Sequence, residues 1–144
     1  MATVIWRDIA WAHADKRILI MDDGLLVCHV GLYYRDGTHD GSKVRIAGIG
    51  GVMTSERVRR QGCAGSALKK AADLMRDGHV DFGLLFCEPH NANFYGNLGW
   101  KPFRGVVHCD QPIGRIRFDL MPAMVFPLAR TPASGDIDLC GLPW

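Results

Sequence analysis

One segment, residues 43–87, constrains the fold more than any other part of the chain. It contains an apolar run with three glycines, an Arg- and Gly-rich turn, an Ala-rich stretch and a short apolar run at 82–87. Apolar residues in the Ala-rich stretch recur at helical spacing from Ala64 to Met75, and Gly78 is a natural stop. The run at 82–87 is apolar throughout, as in a strand buried on both faces. The segment therefore predicts a β-α-β crossover between parallel strands.

The flanking segments predict further strands and a short helix. Residues 17–21 and 25–34 are apolar or β-branched runs around the turn Asp22-Asp23-Gly24, which predicts a hairpin, and a second turn over 36–41 leads to a strand at 43–53. Downstream, 91–98 predicts a short helix with Asn91 as its cap and Gly99 at its end. Residues 106–110 and 115–120 predict a final antiparallel pair. The fold class is α/β with a mixed sheet.

The turn before the Ala-rich helix has the composition of an anion site. The first N–H groups of a helix have no intrahelical partner, so those from Arg60 to Gly65 are expected to point at one anion, helped by the helix dipole and the arginines. The predicted pyrophosphate cradle also includes Arg59, and the Ser66 hydroxyl is a possible addition. An ordinary strand-to-helix turn is the alternative. The cradle residues are Arg59, Arg60, Gln61, Gly62, Cys63, Ala64, Gly65 and Ser66.

Two motifs in this framework resemble the signatures of the GCN5-related N-acetyltransferase (GNAT) superfamily. The spacing Arg59-x-x-Gly62-x-Ala64 is similar to its acyl-CoA-binding motif, and residues 93–100 are similar to its second signature, an aromatic-Tyr pair before a Leu-Gly-aromatic turn. The resemblance covers about 18–126, with a shortened N-terminus. It implies acetyl-CoA as cosubstrate. The C-terminal tail, residues 131–144, and residues 26–54 are closest to the aminoglycoside N-acetyltransferase and nodulation-factor acyltransferase branches.

The resemblance also implies which groups take part in acyl transfer. Tyr95 aligns with the general acid of the family, and we expect Phe94 and Leu98 to share the core face while the Tyr95 hydroxyl reaches a cleft. A tyrosine packed with its hydroxyl on a backbone carbonyl is the alternative. The backbone N–H of Val52 or Met53 is implied as the oxyanion donor. Gly48, Gly50 and Gly51 suggest a bulge or a close approach to the backbone, or simply a flexible strand.

A general base is not evident, because residues 47–52 contain no glutamate where many relatives place one. General-base help is worth about 10²- to 10⁴-fold, so its absence weakens an enzyme without excluding one. Glu88 and His90, at the end of the central strand, are substitutes or loop polar residues. The terminal carboxylate of Trp144 is a further candidate, since some aminoglycoside acetyltransferases end in Trp. That residue could also pack over a sheet edge.

Composition limits the class of protein. The chain has 144 residues, 48% of them hydrophobic and 22% charged, with a net charge of +2, which predicts one domain over 1–144 and argues against a nucleic-acid partner. No apolar stretch is long enough to span a membrane, and the N-terminus lacks the layout of a signal peptide, so a cytoplasmic location is expected. Five scattered cysteines without a Cys-x-x-Cys pair predict reduced thiols and no metal site.

These observations predict an acetyl-CoA-dependent N-acetyltransferase that modifies a primary amine of a small molecule by direct attack. A non-catalytic acyl-CoA or small-ligand binding module is the main alternative. An oligomeric module is a third reading, because Trp6 and Trp11 could expose apolar surface to a partner, and a homodimer is possible. The carboxylates considered for a cationic amine are Glu88, Asp110, Asp136 and Asp138.

Overall fold

A computed structural model describes residues 8–59 and 61–144 of the chain. The strands in this part of the chain are β1 (Lys16–Asp22), β2 (Leu25–His39), β3 (Ser42–Thr54), β4 (Phe82–Phe86), β5 (Lys101–Phe103), β6 (Val106–Gln111), β7 (Gly114–Arg117), β8 (Ala123–Pro127) and β9 (Asp136–Asp138). The α-helices are α1 (Cys63–Asp77) and α2 (Ala92–Gly96), and short 3₁₀ turns cover Glu56–Val58 and Pro89–Asn91. This is the predicted mixed α/β fold.

Two Asp-Gly turns connect the first three strands. Asp23 and Gly24 have φ of 50° and 76°, and Asp40 and Gly41 have φ of 50° and 81°. Positive φ at both central residues defines the tight turn whose twist matches a hairpin. The first turn was predicted. The prediction of a turn over 36–41 was too broad, because β2 continues to His39 in register with β3.

The crossover between β3 and β4 is confirmed. Ile46 to Ile49 lie beside Phe82 to Leu85 in parallel register, and α1 connects the two strands. The helix buries the alanine-rich stripe that its spacing predicts. Its buried residues are Ala67, Leu68, Ala71, Ala72 and Met75.

The second half of the sheet differs from the prediction. The sheet order is β5-β8-β4-β3-β2-β9-β6-β7, with β1 on β2. The antiparallel pair β6–β7 forms as predicted, although β7 stops at Arg117, short of the predicted 120. It joins the sheet through the parallel pair β6–β9, and β8 is the strand that lies antiparallel to β4. Close to the C-terminal end, β9 pairs with the end of β2.

Two apolar clusters cover the two faces of the sheet. One lies between the sheet and α1 and includes Leu32, Ile49 and Met75. The other lies on the opposite face and includes Ile46, Leu84 and Trp144. Segments from both ends of the described chain cover the second face. They are joined by a hydrogen bond from the Ala12 N–H to the carbonyl of Pro143, at 2.8 Å. The chain ends therefore help to shape this side of the sheet.

Candidate active site

Strand β3 leaves β4 near the middle of the molecule. The last parallel pair joins Ile49 to Leu85, whereas β3 continues to Thr54 beside β2 alone. The pairing of β2 with β3 shifts between His29 and Gly31, and Gly51 has φ of 58°. The predicted bulge is thus present. Beyond it Val52 is half-buried, whereas Met53 has 62% of its surface exposed.

A buried histidine holds the bulge. His29 Nδ1 lies 2.7 Å from the carbonyl oxygen of Gly51, and Nε2 lies 3.0 Å from Nη1 of Arg17. An arginine can only donate, so Nε2 accepts and the proton sits on Nδ1, which donates to Gly51. The orientation of the Gly51 peptide is fixed by this chain of hydrogen bonds. Sequence reasoning missed His29, because nothing local in the sequence connects it to Gly51.

The N-terminus of α1 presents main-chain N–H groups. Gly62 is the N-cap residue with φ of 79°, and no side chain caps the helix. Within the described residues, the N–H groups of Gly62, Cys63, Ala64 and Gly65 donate to no protein acceptor. Gln61 was wrongly expected to have a free N–H, since it donates to the carbonyl of Val58 at 3.2 Å. Arg60, also in the predicted cradle, lies outside the described residues.

The other groups of the predicted cradle lie beside these N–H groups. Arg59 is exposed and lies 3.7 Å from the Glu56 carboxylate, an i,i+3 pair worth little in solvent. The Ser66 N–H is used within the helix, because it donates to the Gly62 carbonyl at 3.0 Å. Arg57 contacts Asp22 at 3.1 Å and so connects the first hairpin turn to the turn before α1.

Tyr95 lies at the end of β4 on α2. Its side chain is only 8% exposed, whereas Phe94 is 40% exposed, so the predicted assignment of Phe94 to the core face was wrong. The short helix turns Tyr95 onto the cluster beside α1, and the Asn91 side chain caps nothing. Burial, with a smaller effect of Cys87, raises the pKa of Tyr95 to about 12. The phenol is therefore a proton donor throughout the neutral range.

The Tyr95 hydroxyl has no hydrogen-bond partner among the described residues. The one fully buried, unpaired side-chain polar atom in that part of the chain is Arg35 Nε, so the Tyr95 hydroxyl keeps some contact with solvent. The alternative of a tyrosine bonded to a backbone carbonyl is therefore not what the structure has. Nearby, burial and then Glu88 raise the pKa of the Cys87 thiol, which disfavours a nucleophilic thiolate.

Trp144 occupies the glycine-rich side of β3. A Cβ placed on Gly48 would overlap the six-membered ring of its indole, and one placed on Gly50 would lie 3.3 Å from its main-chain carbon. The indole Nε1 donates to the carbonyl of Leu84 at 3.1 Å, and the ring stacks on Tyr33 with centroids 5.9 Å apart. The close approach predicted at these glycines thus includes the Trp144 indole.

A cavity of about 300 Å³ opens beside this indole, where β3 leaves β4. Sequence reasoning missed most of its lining, because these residues come from distant segments. The described lining residues are Trp11, Ala12, Tyr33, Ile49, Gly50, Gly51, Phe86, Met121 and Trp144.

The carboxylates predicted near an acceptor lie elsewhere. Glu88 is exposed, follows β4 and has no partner among the described side chains. Asp136 pairs with His108 at 2.9 Å and Asp138 with Arg115 at 2.6 Å, on the part of the sheet formed by β6, β7 and β9. Neither these two nor Asp110 lines the cavity. The structure therefore places the three aspartates together on the paired strands β6 and β9, away from the cavity.

The acetyltransferase (GNAT) domain family matches residues 5–103, more than half of the chain. The chain belongs to this family. The matched span contains the turn at the start of α1, the bulge of β3 and Tyr95, and the superfamily prediction is confirmed. The narrower resemblance to aminoglycoside and nodulation-factor enzymes stays a prediction. Among curated proteins, no sequence matches significantly.

Solved structures with the same fold are numerous. A GCN5-related N-acetyltransferase from Kribbella flavida has a TM-score of 0.55 at 20% identity, over 60% of this chain and 22% of that one. A GNAT family acetyltransferase from Brucella melitensis in complex with acetyl-CoA has 0.58 at 13% identity, over 84% and 63%. An Escherichia coli GNAT family N-acetyltransferase in complex with CoA has 0.61 at 16% identity, over 86% and 66%. The chain spans less than two thirds of each of these proteins.

None of the helices described has the length and hydropathy that crossing a bilayer requires. No group of three or more His, Cys, Asp or Glu side chains in residues 8–59 and 61–144 lies close enough to hold a metal ion.

Proposed function

We propose that this domain is an acetyl-CoA-dependent N-acetyltransferase that acetylates a primary amine of a small molecule. The observation that carries the proposal is the set of unpartnered N–H groups from Gly62 to Gly65, at the start of the helix that follows the diverging strand β3. Such groups bind phosphate through hydrogen bonds and the helix dipole. Membership of the GNAT family and the CoA-bound relatives support the choice of cosubstrate.

The opening between β3 and β4 suits the pantetheine arm. Beyond Ile49 the peptide groups on the β4 side of β3 have no strand partner, so they are available to the amides of an extended ligand. The N–H of Val52 or Met53 then faces the thioester carbonyl and stabilises its oxygen as negative charge develops. The hydrogen bond from His29 to Gly51 keeps this part of the backbone in one conformation.

The proposed chemistry is direct transfer. The amine nitrogen attacks the thioester carbonyl carbon, the tetrahedral intermediate expels the sulfur as its C–S bond breaks, and Tyr95 donates its phenolic proton to that sulfur. The nitrogen gives up its proton to solvent or to a base, for which Glu88 and the carboxylate of Trp144 are the predicted groups. A raised pKa of about 12 keeps Tyr95 protonated and able to donate at neutral pH.

Calorimetry with CoA tests the binding half of the proposal. In Gly65→Glu a carboxylate enters the cluster of free N–H groups, and a Cβ at Gly65 meets no atom within 4 Å. An acidic residue in the first helical turn favours the helix, so lost binding would not reflect unfolding. We expect CoA affinity to fall at least about tenfold, since one lost charge-assisted contact is worth about 1.5–3 kcal/mol.

The matched control is Ser42→Glu, which makes the same charge change at the opposite end of β3. It should leave CoA affinity unchanged. An equal loss of CoA affinity in Gly65→Glu and Ser42→Glu would contradict the proposed cradle. So would the absence of any heat when CoA is titrated into the unaltered protein.

Thiol release from acetyl-CoA over a panel of amines tests the catalytic half. Turnover that Tyr95→Phe reduces supports the enzyme, and Glu88→Gln tests the predicted base in the same assay. CoA binding without turnover would favour the non-catalytic binding module instead.

A further inference from the structure

The cavity where β3 leaves β4 has a rigid aromatic wall. Trp144 stacks on Tyr33 with an interplanar angle of 13°, and Phe86 lies against Trp144 with centroids 6.1 Å apart. Phe86 is held in turn by Phe118, at 4.8 Å in an edge-to-face contact. Trp11 also packs edge-to-face on Phe118, at 5.8 Å. Aromatic pairs of this kind fix one another's orientation, so the wall is formed before a ligand arrives.

No charged side chain lines this cavity among the described residues. The side chains that do line it are Trp11, Ala12, Tyr33, Ile49, Phe86, Met121 and Trp144, and only Tyr33 and the two tryptophans carry polar atoms. The Trp144 Nε1 is already bonded to the Leu84 carbonyl. A polyvalent cation would lose its hydration here and find only the terminal carboxylate of Trp144, beside Gly50, to balance several charges, whereas an aromatic ring would gain contacts with the wall.

We propose that this cavity binds the aromatic or branched apolar group of a small monoamine, which is the acceptor of the acetyl group. The proposal rests on the proposed acetyltransferase function. The cavity, of about 300 Å³, is at the small end of the range for ligand sites, so it accommodates one ring rather than an oligosaccharide or a long polyamine. Its position against Gly50 and Gly51 directs the amine toward the bulge, where the thioester is expected.

The same lining explains how transfer proceeds without a glutamate on β3. Removal from water disfavours the ammonium form of an amine, and no charged side chain among the described lining residues stabilises that form. The terminal carboxylate of Trp144, whose carbon lies beside Gly50, is the predicted acceptor of the proton. A larger fraction of the bound amine is therefore neutral, which is the form that attacks a carbonyl carbon. The Trp144 indole lies against Gly48, so a glutamate side chain at that position would overlap it.

The test compares four amines and three variants. Thiol release from acetyl-CoA is measured with 2-phenylethylamine, with ethylamine, which lacks the ring, and with spermidine and kanamycin as polycations. Met121→Glu places a carboxylate in the cavity from a loop residue, and Ile113→Glu makes the same change in the β6–β7 turn, where Ile113 is 80% exposed. Met121→Leu keeps the cavity apolar.

We expect kcat/KM for 2-phenylethylamine to exceed that for ethylamine and spermidine at least about tenfold, the usual effect of filling an apolar pocket. Met121→Glu should lower it by a similar factor and leave CoA affinity unchanged, and Met121→Leu should keep the preference for 2-phenylethylamine over spermidine. Ile113→Glu should match the unaltered protein. A preference for spermidine or kanamycin overturns the inference and leaves the acetyltransferase function standing.

Ligand-detected saturation-transfer NMR separates the two proposals if no amine is turned over. That result contradicts the proposed enzyme. A signal from 2-phenylethylamine in the CoA-saturated protein that Met121→Glu abolishes still supports the cavity's ligand class. Absence of the signal in the unaltered protein overturns it.

Discussion

The contact between Gly48 and Trp144 makes a sharp prediction for stability. Gly48 lies in β3, paired in register with Tyr33 of β2 and Leu84 of β4, so the backbone around it has little room to move. The atoms that a Cβ would meet are carbons of the Trp144 ring. Gly48→Ala therefore forces the indole away from β3, from its hydrogen bond to Leu84 and from its stack on Tyr33.

The magnitude follows from three effects. Overpacking a buried site costs about 1–3 kcal/mol. Loss of the Nε1 hydrogen bond adds about 1 kcal/mol. The reduced freedom of the unfolded chain returns about 0.5–1 kcal/mol. We expect Gly48→Ala to lower the free energy of unfolding by about 2 kcal/mol, or about 1 M in the urea midpoint at a typical slope for a small protein.

A double-mutant cycle identifies the cause. In Trp144→Leu the overlapping ring is absent, so adding Gly48→Ala should cost nothing or stabilise slightly, with a coupling energy of about 2 kcal/mol. Gly96→Ala is the matched control: Gly96 is in α2, and its Cβ would meet no atom within 4 Å. It should be neutral or stabilising. If Gly48→Ala costs the same with Trp144 present or replaced, the indole is not what occupies the space beside Gly48.

Three further predictions concern the proposed site. Tyr95→Phe should lower kcat at least about 100-fold, as expected for loss of a general acid, and leave the Kd of CoA unchanged in calorimetry. The pKa of Tyr95 rises from its ordinary 10.0 to about 12 in the folded protein, so the folded state gains stability from the neutral phenol below pH 10 and loses it as pH rises toward 12. The melting temperature should therefore fall less steeply with pH across this range in Tyr95→Phe than in the unaltered protein. Equal slopes would refute the raised pKa of Tyr95. His29→Ala should cost about 1–3 kcal/mol in urea unfolding, because the Gly51 carbonyl loses its donor, and no loss would show that water replaces the imidazole.

Much of the architecture follows from short-range patterns. The turn at Asp23-Gly24, the helix that buries Ala67 to Met75 and the crossover to β4 were all predictable, because turn chemistry and side-chain periodicity are properties of neighbouring residues. The free N–H groups at the start of α1 were predictable for the same reason, since they are the first N–H groups of one helix. Their exact extent was not, because Gln61 donates its N–H to the Val58 carbonyl in a turn that the sequence does not signal.

The remainder depends on contacts between segments far apart in the chain. The pairing of β9 with both β2 and β6, the burial of Tyr95 in place of Phe94, and the hydrogen bond of His29 to Gly51 join residues that no local pattern relates. The glycines of β3 predicted a close approach to the strand, but not that the Trp144 indole is the group that approaches. Local spacing thus suffices for the first hairpin, the crossover and the free N–H groups at the start of one helix. The apolar cavity beside Trp144 exists because packing, which acts across the whole fold, brings Trp11, Met121 and Trp144 to the same place on strands β2, β3 and β4.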